Sequence, residues 1–311
     1  MDVNTFSKRI EEVCSPLLGS IPETIIFKLS VKLKFHGVTL LDMYTSLFPH
    51  QSREKWLAKI NEGTLTVNNE KSNPDCILKA GWITQNRVDD RVEPNVNYSI
   101  QLLFENDDFI VIDKPSPLPI HPAGRYNRNS LTHILSLAFP EWNLKIVHRI
   151  DANTTGLVVL AKNKETAHEI AKQFESHSLS KEYLALVRGV VLEDDSSIQE
   201  VISKHKTNAG GREVCSDGVE ASTTIKVVQR FEKTTLLSVR PKSGRTNQIR
   251  LHLASIGHPI IGDLGYMDVD YFKTNPLTYP NDSLYLHAHR LSFVSKGVSY
   301  NFKANVPGKF K

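Results

Sequence analysis

The sequence predicts an α+β fold: a mixed or antiparallel sheet with flanking helices, plus a small α/β domain towards the N-terminus. Three observations carry this expectation. Apolar strand-like runs outnumber helical patterns after residue 100. The two do not alternate strictly, which disfavours a doubly wound parallel sheet. A helix–helix–strand pattern of different rhythm precedes them. The length of 311 residues suits two domains. With 40% apolar, 23% charged and 8% aromatic residues, the composition excludes a mostly disordered chain, a collagen and a disulfide-rich mini-protein.

The first 35 residues are weakly patterned. From Gly37 a small unit begins. Leu40, Leu41, Met43, Tyr44, Leu47 and Phe48 recur at helical spacing, and Pro49 ends the run. Ser52 suits the N-cap of a second helix, Arg53 to Asn61, with Trp56, Leu57 and Ile60 as its apolar stripe. Leu65-Thr66-Val67 is a short strand with Asn68-Asn69 as its turn. The expected division is residues 1–98, with a core over 37–98, against a larger domain over 99–311.

In the larger domain the expected strands are Phe109–Asp113, Leu157–Ala161, Tyr183–Val187, Thr223–Val228, Leu236–Val239 and Leu291–Val294. Helical patterns cover Lys164–Ser176 and Thr246–Ile256. In the second, Thr246 is the expected cap and Ile249, Leu253 and Ile256 the buried stripe. The polar stretch Lys204 to Gly218, with Gly210-Gly211, predicts an exposed loop or hairpin tip.

The formal net charge is +4, and residues 101–311 hold the excess. A mild basic balance permits nucleic-acid binding without establishing it. Cys14, Cys76 and Cys215 are far apart and odd in number, against a disulfide framework or a structural zinc site. No run of about 18 apolar residues exists and no signal peptide is visible. The expectation is a cytoplasmic chain without membrane attachment. Phosphate-loop, dinucleotide, zinc-protease and nucleophile-elbow signatures are absent, and the histidine spacings do not suit a metal. Neither metal nor nucleotide cofactor is expected.

One carboxylate stands in an unusual setting. In His148-Arg149-Ile150-Asp151, the arginine and aspartate are two apart and share a side of an extended chain. Asn153-Thr154-Thr155-Gly156 then forms a turn before an apolar strand. By itself this is also a surface ion pair beside a turn. Lys181-Glu182-Tyr183 places a tyrosine at the mouth of another strand, which equally suits core packing. Ser243-Gly244-Arg245-Thr246-Asn247-Gln248-Ile249-Arg250 puts Arg245 at a helix entry, where the dipole does not favour a cation. Pairing with a carboxylate would account for it.

Together these segments resemble the RluA-type family of RNA pseudouridine synthases. The likeness runs from Phe104 to the C-terminus, with Asp113-Lys114-Pro115, His121-Pro122, Gly257-His258-Pro259-Ile260 and Gly262-Asp263 in the family's order. Thr155 stands where the family usually has serine, and Asn247 where it usually has histidine. Residues from about Gly37 to Tyr98 resemble the alpha-L RNA-binding domain, which implies RNA contact through Arg53, Lys55 and Lys59.

The resemblance implies a pseudouridine synthase fold and isomerisation of uridines in ribosomal or transfer RNA, with no cofactor and a monomeric enzyme. It implies Asp151 as the catalytic carboxylate, Arg245 as its ion-pair partner and Tyr183 against the target base, able to relay the proton that leaves C5. The target must leave its stack, and Arg149 is the residue expected to fill the vacated place. His148, Thr155, Asn247, Gln248 and Arg250 complete the expected RNA contacts. Two alternatives remain at this point: a catalytically inactive RNA-binding protein on the same fold, and a hydrolase with two carboxylates, for which neither Asp113 nor Asp263 is a clear second acid.

Overall fold

The computed structural model describes residues 1–49, 51–204, 211–267 and 284–310. Its contacts divide the chain into a smaller unit, residues 20–92, and a larger one, residues 1–19 with 93–311. Both limits correct the expected division at residue 98. The first helix, α1 (Val3–Cys14), is capped by Asp2 and buries Phe6, Ile10 and Cys14. These join the core of the larger unit, where Phe6 stacks on Phe139 at 4.9 Å. Burying Phe6 and Ile10 contributes about 1.5–3 kcal/mol each, which ties α1 to that core. At the other limit, buried Glu93 accepts the backbone N–H groups of Asn127, Arg128 and Asn129 at 2.8, 2.9 and 2.8 Å.

The smaller unit holds β1 (Glu23–Ser30), α2 (Leu40–Leu47), α3 (Arg53–Glu62), β2 (Leu65–Val67), β3 (Glu70–Lys71) and β4 (Ile83–Arg91). Thr39 and Ser52 cap the two helices, and Gly63 ends α3 at φ +80°, a conformation that glycine adopts without strain. The strands form an antiparallel sheet in the order β1-β4-β2-β3. Leu40, Met43, Tyr44, Trp56, Ile60, Leu65 and Leu78 form its core. Leu57, expected in the buried stripe, is exposed. The strand β1 falls in the weakly patterned first 35 residues.

The larger unit continues with β5 (Gln101–Glu105), β6 (Phe109–Lys114), α4 (Leu131–Ala138), β7 (Lys145–Ile146), β8 (Thr155–Ala161), α5 (Lys164–Glu175), β9 (Ser180–Arg188), β10 (Asp195–Ser203), β11 (Gly218–Arg230), β12 (Thr234–Pro241), α6 (Gln248–Ser255), α7 (Leu264–Met267), β13 (Leu286–Ser295) and β14 (Val298–Lys303). A ten-stranded sheet runs β10-β11-β12-β9-β13-β8-β6-β5, with β14 on β13 and β7 on β8. All of its pairings are antiparallel except β13 with β8, so the sheet is mixed as expected.

The central strand β8 is buried along its whole length. Val158 and Leu160 face the α1/α4 side, while Leu157 and Val159 face the α5/β13 side. Such two-sided burial explains its unbroken apolar run. At its start Gly156 has φ +108°, and a Cβ there would lie 2.3 Å from the Ala288 carbonyl oxygen. The glycine therefore permits the one parallel contact of the sheet. The polar stretch 204–218 connects β10 and β11, and residues 205–210 of it lie outside the described residues. The helix expected from Thr246 begins at Gln248, with Asn247 as its N-cap at φ 58°. Ile256 sits past its end and is exposed.

Candidate active site

The loop between β7 and β8 carries Asp151, and buried groups hold that loop on two sides. Lys114, at the end of β6, is fully buried. Its Nζ donates to the carbonyls of Pro115, Leu118 and Ala152 at 2.8, 2.9 and 3.0 Å. Three accepting carbonyls replace the water that an ammonium otherwise keeps, although burial still pulls its pKa down to about 7. Leu118 N–H also donates to the Ala152 carbonyl, at 2.9 Å. The carbonyl of the residue next to Asp151 thus accepts two hydrogen bonds.

Arg250 orients the carboxylate itself. Its Nη1 donates to Asp151 Oδ2 at 3.1 Å and to Asn247 Oδ1 at 3.1 Å. Its Nε and Nη2 each donate to Asp263 at 2.7 Å, a bidentate pair. The guanidinium lies 5.1 Å from the Tyr266 ring centroid. Asp263 is fully buried and the Arg250 side chain is 6% exposed, whereas that of Asp151 is 39% exposed. The buried pair is therefore the anchor, and Asp151 is the member free to meet a ligand.

Asp151, Asn247 and Arg250 line a cleft of about 800 Å³, together with Tyr183, Arg149, Lys181, Arg125 and Arg245. Its lining holds five Lys and Arg side chains against two carboxylates, Asp151 and the exposed Glu175, an arrangement suited to a polyanion with one reacting atom over Asp151. Burial, then the Asp151 charge, pushes the Tyr183 hydroxyl up to about 12. At neutral pH it is a phenol that can donate a hydrogen bond, not a phenolate base. Lys181, two residues before it, donates to the Ser243 carbonyl at 2.8 Å, and burial lowers its pKa to about 8. Among the described residues, no group of three or more His, Cys, Asp or Glu could hold a metal ion.

The structure thus brings Asp151, Tyr183, Arg149 and Arg250 to one cleft and redistributes several expected roles. Arg245 does not pair with Asp151. It lies in the turn before α6, exposed at the cleft, while Arg250, inside the helix, makes the pair. Arg250 is accordingly an ion-pair residue, largely buried, at the wall of the cleft. His148 turns inward: its Nε2 accepts the Val159 N–H at 3.0 Å, and its ring stacks on Phe174 at 4.3 Å. Burial holds its pKa at about 3, so it offers no charge to phosphate.

Buried Thr155 shares a hydrogen bond with His287 Nδ1 at 2.8 Å. Gln248 is buried between Ser243, Ser222 and Thr223. Both side chains are buried in these bonds, and Gln248 also lines the cleft. Asn247 lines the cleft, but its amide bridges Arg250 and the Tyr266 hydroxyl. Arg149 is exposed at the cleft with its Nη1 3.1 Å from His121 Nε2. Of the α3 cations in the smaller unit, Arg53 is paired with Asp42 at 2.6 Å, Lys55 is exposed and Lys59 is half-buried. Sequence reasoning noticed Lys114 and Asp263 as motif members and missed what they hold.

Residues 108–255 match the RNA pseudouridylate synthase family model. An uncharacterized RNA pseudouridine synthase of Aquifex aeolicus is 32% identical over 285 residues, covering 85% of this chain and 89% of the relative. The ribosomal large subunit pseudouridine synthase D of Nitrosomonas europaea is 32% identical over 264 residues, covering 81% and 75%. The mitochondrial tRNA pseudouridine(32) synthase of Saccharomyces cerevisiae is 29% identical over 268 residues, and the match spans 84% of this chain but 57% of that protein's length. The solved structure of human RNA Pseudouridylate Synthase Domain Containing 1 shares the fold, with a TM-score of 0.56 at 24% identity over 69% of this chain and 86% of that one. The chain belongs to the RNA pseudouridine synthase family, in its RluA-type branch, whose members are isomerases converting uridine in RNA to pseudouridine.

Proposed function

We propose that this chain isomerises uridines of ribosomal or transfer RNA with Asp151 as the catalytic carboxylate. One observation carries the assignment: Asp151 is the half-exposed carboxylate at the centre of a cationic cleft, held by an arginine that a second, buried aspartate holds in turn. The reaction cuts the bond from the sugar C1′ to N1 of uracil, turns the freed base and joins C5 to the same C1′; C5 releases its proton and N1 takes one up, so the product is an isomer. Neither a redox partner nor external water enters that balance. A carboxylate can serve by attacking C1′, by attacking the base or by taking a sugar proton. Tyr183, as a neutral phenol, packs against the base and donates a hydrogen bond to it; the proton from C5 then needs another acceptor, and Asp151 is available once the C1′–C5 bond has formed.

A stacked uridine reaches this cleft only by flipping, at a cost of a few kcal/mol. We assign Arg149, exposed and lining the same cleft as Asp151, to filling the gap with its planar guanidinium. The cytoplasm remains our proposed compartment and a monomer the proposed state; the yeast relative is named mitochondrial. Among the described residues no helix is long and apolar enough to cross a membrane. The test of the activity is direct. Purified protein is incubated with unmodified transfer and ribosomal RNA transcripts, which are digested to nucleosides and separated by chromatography. Pseudouridine in one of them supports the proposal and identifies the RNA class. Its absence from both, with RNA binding retained, favours a non-catalytic RNA-binding role.

A further inference from the structure

In the smaller unit, two loops lie side by side and carry cations that no acid offsets. Val31 N–H donates to the Trp82 carbonyl at 2.8 Å and Gly81 N–H to the Val31 carbonyl at 2.9 Å. Gly37 N–H donates to the Leu78 carbonyl at 2.9 Å. These bonds clamp residues 31–37 against residues 78–82 and place Lys32, Lys34 and Lys79 on two adjoining loops. All three are exposed. Among the described residues none of them makes an ion pair.

The sequence makes this segregation plain: Thr24 to Leu41 holds Lys28, Lys32 and Lys34 without an acid, and Cys76 to Val88 holds Lys79 and Arg87 without one. The helix α3 differs. Its cations are interleaved with Glu54 and Glu62, and Arg53 is already paired with Asp42. The loop surface also offers apolar and aromatic area beside the charges. Leu33 is 80% exposed. Lys79 Nζ lies 5.6 Å from the Trp82 ring centroid, and that ring is half-buried.

We infer that the loop pair 31–37/78–82, rather than α3, is the main RNA-contacting surface of the smaller unit, with Lys32, Lys34 and Lys79 on backbone phosphates and Leu33 and Trp82 against a sugar or an unpaired base. Unpaired cations suit a phosphate chain because binding it releases condensed counterions without first breaking an internal ion pair. Adjacent apolar and aromatic area suits the nucleoside between two phosphates. The inference extends the proposed action on RNA and rests on the chain binding RNA, not on its catalysing a reaction.

The test is filter binding of the full chain to total transfer RNA and to total ribosomal RNA over a range of salt concentrations. The variants are K32A/K34A/K79A, K32R/K34R/K79R and K55A/K59A. The triple alanine variant is expected to raise Kd about tenfold or more near 0.1 M salt and to flatten the slope of log Kd against log salt by about 2 to 3. The triple arginine variant is expected to restore both, and the α3 pair to change them less. An unaltered melting profile of the alanine variant keeps a folding defect out of the comparison. The inference is overturned if the triple alanine variant matches wild type in Kd and slope, if the α3 pair has the larger effect, or if wild type binds neither RNA. Binding needs no turnover, so a wild-type protein that binds through these lysines yet makes no pseudouridine overturns the proposed activity and leaves this surface standing.

Discussion

Asp263→Asn tests the support of the catalytic carboxylate without touching the cleft. Asp263 is fully buried and accepts two hydrogen bonds of 2.7 Å from Arg250, whose side chain is 6% exposed. The asparagine keeps the shape but removes the negative charge, and it places an NH2 group against one of the arginine's own N–H donors. What remains is a buried guanidinium with Asp151 as its carboxylate partner, at 3.1 Å and half in solvent. Breaking a buried pair in this way costs about 3–5 kcal/mol. For a unit of roughly 150–250 residues, each kcal/mol moves the Tm by about 2–4 °C, so a fall of about 6–20 °C is expected by calorimetry. Arg250 also loses the fork that aims its Nη1 at Asp151. The single-turnover rate measured well below the lowered Tm should therefore fall as well. Arg245→Ala, in an exposed turn, should leave the Tm within about 2 °C. The reasoning is refuted if Asp263→Asn melts and turns over like wild type, or if Arg245→Ala produces the larger thermal loss.

Tyr183→Phe should slow hydrogen loss from C5 by about tenfold or less, the worth of one hydrogen bond to the base at about 0.5–1.5 kcal/mol. Because the wild-type hydroxyl sits at about 12, no tyrosine limb should enter the pH–rate profile between pH 8 and 10; an unchanged rate would reduce Tyr183 to packing. Acid stability follows from His148, at about 3, and His287, at about 4. Unfolded imidazoles take up protons as pH falls through 6.5 while these buried ones resist, so stability should drop between about pH 6.5 and pH 4. In urea titrations at several pH values His148→Phe should flatten part of that slope, while losing about 1–3 kcal/mol at pH 7 because the Val159 N–H loses its acceptor. Phe6→Ala removes the ring stacked on Phe139 and should cost about 3–5 kcal/mol, seen as a lower Tm of the larger unit. A variant with an unchanged Tm would contradict the placement of α1 in that core.

The sequence showed the strands best where both faces are buried, as in β8, because a short unbroken apolar run is what a strand covered on both faces requires. It showed α1 and β1 poorly for opposite physical reasons. The stripe of α1 is Phe6, Ile10 and Cys14, with Val13 partly buried beside it, too narrow to stand out. The strand β1 is exposed or partly exposed at every position, so no alternation marks it. At the site, motif order located Asp151, Tyr183 and the segment around Arg250. Choosing between Arg245 and Arg250 depended on where the helix starts. With Asn247 in the left-handed region, Arg245 falls outside the helix and Arg250 within it. Asp263 looked like a turn residue because its partner lies thirteen positions away across a helix and a turn, a distance at which no local pattern reports.

The most direct measurement of the central claim is tritium release from RNA labelled at uridine C5, comparing wild type with Asp151→Ala. Asp151 is 39% exposed and does not anchor the Arg250–Asp263 pair, so the variant should keep its fold and most of its RNA affinity. The account predicts release by wild type and none above background by the variant. A folded Asp151→Ala protein that releases tritium at the wild-type rate would contradict it.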